Sequence, residues 1–218
     1  MRALGRGFLA ALPLWPGIVA FGLVYAVVAG VAGLSAWQIQ LMSALVFAGA
    51  SQVTAAGLVA QGAPAGVLIA STALINLRHV LYGLSLSAHL PRNTRRLRPL
   101  VAFLLTDESY SLGVRAYLEG QGAIGYYLGA GISTFVSWNL GTALGVVAGR
   151  MLADPKRLGL DLVFPLTFAA LLAPLLRDAR ARGAAAVAFA AGLVLIPALP
   201  RGIGLVAAAL LGVVWGSR

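Results

Sequence analysis

Four polar clusters stand inside otherwise apolar sequence, and their residue types could do chemistry. Asp107 and Glu108 are adjacent acids within Thr106-Asp107-Glu108-Ser109-Tyr110. Arg78 and His79 follow Asn76 and Leu77. Ser51 and Gln52 come just after Gly49, with Thr54 close behind. Ser133 and Thr134 precede Ser137-Trp138-Asn139. A charge in the middle of a membrane helix costs at least about 2.5–3.5 kcal/mol on insertion scales, so such residues mark pathways or ion pairs. Two adjacent acids resist ionising together. One of them, Glu108 rather than Asp107, is expected to exchange a proton, while its neighbour pairs with Arg78. His79 can carry protons near neutral pH. The bland alternative is an Arg–acid pair that only holds helices together.

A glycine beside polar residues in an apolar run is a plausible helix break. An unwound turn exposes backbone N–H and C=O groups that can hold the carboxylate and amine of an amino acid. Ser51 and Gln52 are therefore expected at a substrate site, facing Ser133, Ser137 and Asn139. Phe47, Phe135 and Trp138 would supply the apolar wall, since ligand sites are mostly apolar with a few placed polar groups. Serine, threonine and asparagine within membrane helices also bond simply across to a neighbour.

These clusters need elements to hold them, and the composition says which. The chain has 218 residues, 60% hydrophobic and 10% charged, with a mean hydropathy of +0.91. So few charges cannot cover a soluble surface. About eight apolar runs of helix-spanning character recur, at 12–34, 37–60, 64–88, 99–118, 122–149, 159–176, 183–198 and 202–217. The fold class is an all-α integral membrane protein, a polytopic helix bundle in a single transmembrane domain over 1–218. Strands of alternating polarity are absent, which argues against a barrel. Arg2 and Arg6 before the first run resemble a signal peptide, but no clean cleavage site follows, so the run reads as a retained first span.

The net charge of +10 sits in short clusters between apolar runs. Loop charge of the positive-inside kind explains it, and nucleic acid is not an expected partner. The clusters are Arg2/Arg6, Arg92–Arg98, Arg150–Arg157, Arg177–Arg182 and Arg218. Eight full crossings would put Arg92–Arg98 opposite the N-terminus. The conflict vanishes if 37–60 and 159–176 each dip in and return, broken near Gly49-Ala50-Ser51 and Pro165-Leu166-Thr167. Gly33–Ala36, Gln61–Pro64 and Glu119–Gly122 would then all lie outside. Repeat halves 1–118 and 119–218 of opposite orientation follow. Gly22, Ala26 and Gly30 would answer to Gly141, Gly145 and Gly149, and Leu45–Ala48 to Leu166–Ala169.

The sequence lacks a GxSxG serine motif and an HExxH zinc motif. His79 and His89 are the only histidines, and there is no cysteine. No enzyme, metal site or cofactor is expected. The rival readings are a passive channel or a structural membrane subunit, and then an intramembrane enzyme.

Phe47-Ala48-Gly49-Ala50-Ser51-Gln52, Leu77-Arg78-His79-Val80-Leu81-Tyr82-Gly83, Thr106-Asp107-Glu108 and Ser137-Trp138-x-x-Gly141-Thr142 together resemble the AzlC-type branched-chain amino acid permease family. Their order and spacing fit over nearly the whole chain. The family's motif often has Asp where this chain has Asn76. The resemblance implies the large subunit of a secondary transporter in the bacterial inner membrane, and the loop charges put its N-terminus on the cytoplasmic side. It implies a small hydrophobic partner of the AzlD type and export of leucine, isoleucine and valine, in some members methionine. Energy would come from a proton gradient or the membrane potential, which agrees with the missing GxxxxGK[ST] loop.

Overall fold

The computed structural model describes residues 2–151, 176, 178–199 and 203–217. It is helical, with no strand among the described residues. Helices α1 (Arg2–Ala11) and α2 (Trp15–Val31) are joined by one 3-10 turn, Leu12–Leu14. Pro13 and Pro16 lie in the first turns that follow each junction, where a missing N–H costs nothing. Next come α3 (Ala36–Leu45), α4 (Gly49–Ala60) and α5 (Ala65–Ser87). A 3-10 stretch at Arg92–Leu97 leads into α6 (Arg98–Phe103), α7 (Asp107–Leu118) and α8 (Ile124–Met151). After a gap in the described residues follow α9 (Ala179–Ala198) and α10 (Ile203–Gly216). Among the described residues four helices are long and apolar enough to cross a membrane: Arg2–Val31, Ala65–Ser87, Ile124–Gly149 and Ala179–Ala198.

The scaffold is the pair α1–α2 and α8. They lie side by side in the same direction. A Cβ on Gly7 would strike the backbone of Tyr126, one on Gly129 the backbone of Leu4 and Phe8, and one on Gly22 the backbone of Trp138 and Thr142. Gly141 and Gly145 likewise press on Val19 and Leu23. Small residues let membrane helices approach until backbones touch, which replaces the hydrophobic drive that lipid removes.

Two segments break at mid-depth. Between α3 and α4 the chain unwinds over Val46–Ala48, as the glycine signal suggested. Phe47 there takes a φ of 46°, the left-handed region that a side chain other than glycine enters at a cost of about 1–2 kcal/mol. The chain then turns back. Ile39 packs near Gly30 and Gly49 near Phe21, nine residues earlier along α2, while Gln52 returns to hydrogen-bond Ser43 at 3.2 Å. So α3 descends, α4 climbs, and Gly62 ends on the face where Gly33 lies.

The second described break is in 99–118, which the sequence reads as one crossing. The correction comes from Leu104–Thr106. Along α6, Val101 O accepts from Tyr127 Oη at 2.9 Å, and Leu104 meets Gly131. Along α7, Asp107 pairs with Arg78, Tyr110 Oη bonds Ser85, and Tyr117 packs on His89. Thus α6 rises with α8, and α7 falls with α5. Glu119–Gly122 therefore lies on the face of Arg2 and Arg98, opposite Gln61–Pro64 and not beside it. The Arg150 end of α8 lies on the Gly33 face, against the expectation that all basic clusters share one side. The supposed break at Pro165-Leu166-Thr167 and the remainder of 159–176 fall outside the described residues.

The glycine scaffold makes a sharp prediction. Gly141→Ala should lower the detergent-solubilised melting temperature, costing about 1–3 kcal/mol as overpacking does, because the obstacle is the Val19 backbone. Gly17→Ala, with nothing within 4 Å of its Cβ, should leave melting unchanged. Equal melting of the two variants would sink the account.

Candidate functional site

The two breaks face each other across a cavity of about 140 Å³. Its floor and roof are the first residues of two half-helices: Ala48, Gly49 and Ala50 of α4, and Thr106, Asp107 and Glu108 of α7. Arg78 and His79 enter from α5, Thr134 and Trp138 from α8, and Ile18 and Phe21 from α2.

The two half-helix starts differ. At α7 the sequence caps itself. Thr106 accepts from the Ser109 amide at 3.3 Å, and Ser109 Oγ accepts from the Thr106 amide at 2.9 Å, a reciprocal box. Asp107 and Glu108 occupy the first turn, where the helix dipole favours negative charge. At α4 no side chain caps the first turn; the N-cap is Ala48. Its first-turn residues Gly49 and Ala50 border the cavity, and amides in a first helical turn have no partner within the helix.

Arg78 binds Asp107 at 2.9 Å, both side chains partly exposed. Arg78 Nε and Asp107 Oδ1, and Asn76 Oδ1 nearby, are buried and have no hydrogen-bond partner among the described residues. Glu108 makes no hydrogen bond or ion pair among the described residues. His79 Nδ1 lies 3.2 Å from the Asn76 carbonyl, and its ring meets Tyr82, which stacks on Tyr110.

Of the residues expected at the site, the structure gathers Phe47, Trp138, Arg78, His79, Asp107 and Glu108 on one cavity. It places the others behind that wall. Ser51 and Gln52 are fully buried; Ser51 donates to the Ala48 carbonyl, and Gln52 Oε1 accepts from the Ala48 amide at 3.0 Å. Ser133 accepts from Trp15 Nε1 at 2.9 Å. Ser137 donates to the Thr134 carbonyl. Asn139 accepts from Gln40 Nε2 and donates to the Phe135 carbonyl. Phe135 packs on Phe47 with ring centroids 5.1 Å apart.

Ser43 escaped the sequence reading. Its hydroxyl, wholly buried, is the hub of the site's support. Trp138 Nε1 and Gln52 Nε2, which can only donate, reach it at 3.1 and 3.2 Å. They fill both lone pairs, so the Ser43 O–H must donate to Thr142 Oγ1 at 2.8 Å. Thr142 passes its own proton to the Trp138 carbonyl. The network is closed, and it fixes Trp138, which stacks on Tyr25 and takes Phe21 edge-on. Thr106 and Thr134 of the cavity stood in the polar clusters of the sequence but were given no role there. Thr106 carried a signal: a threonine before two acids is how a helix begins.

A family model described as AzlC protein matches residues 13–152, which include every residue lining this cavity. An uncharacterized membrane protein of Archaeoglobus fulgidus is 31% identical over 212 residues, covering 95% of this chain and 91% of that protein. The inner membrane protein YgaZ of Escherichia coli is 28% identical over 120 residues, 54% of this chain and 49% of that protein. The branched-chain amino acid transport protein AzlC of Bacillus subtilis is 27% identical over 159 residues, 72% of this chain and 61% of that protein. The chain thus spans about half to three-fifths of the latter two. No solved structure matches.

Removing the hub has a defined cost. Ser43→Ala strands two buried donors, at about 1–3 kcal/mol each, and should lower melting and loosen Trp138, read as a change in tryptophan fluorescence. An unchanged melting curve and spectrum would show that the hydroxyl carries no such load.

Proposed function

The chain belongs to the AzlC protein family, and from that membership we propose that it is the large subunit of a secondary transporter exporting branched-chain amino acids across the bacterial inner membrane. The observation that carries this reading is the cavity itself: bare amides on one half-helix start, free carboxylate on the other, aromatic rings between. An amino acid is a zwitterion with an apolar branch. Its carboxylate suits the Gly49 and Ala50 amides at the positive end of α4. Its branch suits Ile18, Phe21, Phe47 and Trp138. Valine and isoleucine would be poorly distinguished, because one methylene is worth about 1–3 kcal/mol.

Glu108 is the coupling group in this proposal. Asp107 is engaged by Arg78, whereas Glu108 is available. A carboxylate that accepts either a proton or the substrate's ammonium, and not both together, exchanges one for the other. Export of the amino acid then runs on proton entry. The cytoplasmic face is that of Arg2, Arg6, Arg95, Arg96 and Arg98, by the positive-inside rule. The family resemblance adds a small AzlD-type subunit as partner. The outer side of α5, where Ile69, Leu77, Leu81 and Leu84 are more than half exposed, is apolar surface for lipid or for such a subunit.

The experiment is transport in proteoliposomes, with and without the small subunit. Leucine counterflow is expected, with no competition from isovalerate or isopentylamine, each lacking one charged end. Glu108→Gln should keep counterflow at reduced affinity, since an amide oxygen still accepts from ammonium, but lose the response to a pH gradient. Gradient-driven efflux persisting in Glu108→Gln would remove this residue from coupling. Uptake indifferent to either charged end would turn the reading toward a passive channel.

A further inference from the structure

The two broken segments share more than their shape. Ser51 Oγ donates to the carbonyl of Ala48, and Ser109 Oγ lies 3.3 Å from the carbonyl of Thr106. The Gln52 amide donates to Ala48, and that of Tyr110 to Thr106, both at 2.9 Å. At the far ends, Gln61, Gly62 and Ala63 donate to Gly57, Val59 and Leu58, and Glu119, Gly120 and Gln121 donate to Arg115, Tyr117 and Ala116. Every pair has the same sequence offset, that from Ser51 to Ser109. Both half-helices have 12 residues. Both end on a glycine of positive φ, 65° at Gly62 and 72° at Gly120. Gly83 of α5 and Gly141 of α8 keep the same offset.

The following helices run oppositely. α5 leads from the face of Gly62 toward His89, beside α7. α8 leads from the face of Gly120 back toward Gly149, beside α2. Each unit is therefore a hairpin that enters from one face, then a full span to the other face.

We propose that residues 40–87 and 98–145 are an inverted repeat, and that its two hairpin tips are the gates on either side of the central cavity. The first hairpin closes the cavity from the Gly33 face and the second from the Arg98 face. The tips now meet, with Phe47 and Phe103 at 6.2 Å and Phe135 against both. A pair of units related by a twofold axis in the membrane can exchange conformations, each tip withdrawing in turn. This frame differs from a division at residue 118, because α2 and α8 run in parallel and so are not inverted copies. The gating half of the proposal rests on the transport reading above; the orientation half does not.

The chain has no native cysteine, so single cysteines report cleanly. Gln61→Cys and Glu119→Cys should react with a membrane-impermeant maleimide from opposite sides, whether or not the protein transports anything. Reaction of both from one side overturns the inverted repeat. For gating, Phe47→Cys/Phe103→Cys, whose reduced form exchanges leucine more weakly because Phe47 lines the cavity, should lose that remaining exchange on oxidation and regain it with reductant. Exchange at equal rates in the fully cross-linked and reduced forms overturns the gates. If that double variant does not insert, Ala50→Cys in the cavity decides. Labelling from both sides, slowed by saturating leucine, supports alternate opening. Labelling from one side alone with and without leucine defeats it.

Discussion

Unwound backbone at the middle of a bilayer has no water to satisfy it, and this constraint organises everything around the cavity. Each unpaired N–H or C=O there must find a protein partner or line a polar space. The first break meets the demand with Gln52, whose one amide group answers the Ala48 N–H and the Ser43 hydroxyl. The second meets it with Thr106 and Ser109, which cap one another and also reach the Leu104 carbonyl at 2.7 Å. These side chains do the work of solvent. They are buried because the groups they serve are buried, which is why Ser51, Gln52 and Ser109 are inaccessible although they stand beside a cavity.

Such hairpins have too little packing of their own to stay at that depth. α3 and α6 have 10 and 6 residues, short of a span. The glycine-lined contact of α1–α2 with α8 gives them a rigid wall. From that wall Trp138 and Phe135 hold the first tip, and Leu104 closes on Gly131 at the second. Close backbone approach thus serves the site indirectly: it fixes the height of the aromatic side chains on α8, and these fix the tips.

Much of this was legible from residue types. Long apolar runs gave the helices, Gly49 gave the first break, and the acids with Arg78, His79, Phe47 and Trp138 gave the cavity wall. What misled was apolarity itself. The run 99–118 is as hydrophobic as a crossing, so the start signal at Thr106-Asp107-Glu108 read as charges inside a helix. Loop charge then favoured three junctions on one side, where the second hairpin reverses the third. Likeness between Gly22–Gly30 and Gly141–Gly149 suggested a repeat, yet Gly22 and Ala26 lie against Gly141 and Gly145 in two helices that run in parallel, so they are packing partners and not inverted copies. Ser43 was illegible for a different reason. A lone serine in Leu41-Met42-Ser43-Ala44 has no local pattern, and its importance arises only when Trp138, Gln52 and Thr142, distant in sequence, converge on it.

The two tips are built alike and then made chemically unlike. A helix start prefers negative charge, and at α7 the chain supplies that charge from Asp107 and Glu108. At α4 the equivalent turn is Gly49-Ala50, with no acid and no cap. A symmetric pair of bare starts would draw two anions and repel an ammonium group. A symmetric pair of acidic starts would do the reverse. One of each, opposed across a cavity of about 140 Å³ with rings along its side, presents positive amide ends to one pole of a ligand and carboxylate to the other. In the proposed transport role, that polarity is the feature that would select a zwitterion over a simple anion or cation. It also explains why the sequence can differ at the corresponding positions while the half-helices and their glycine ends stay the same.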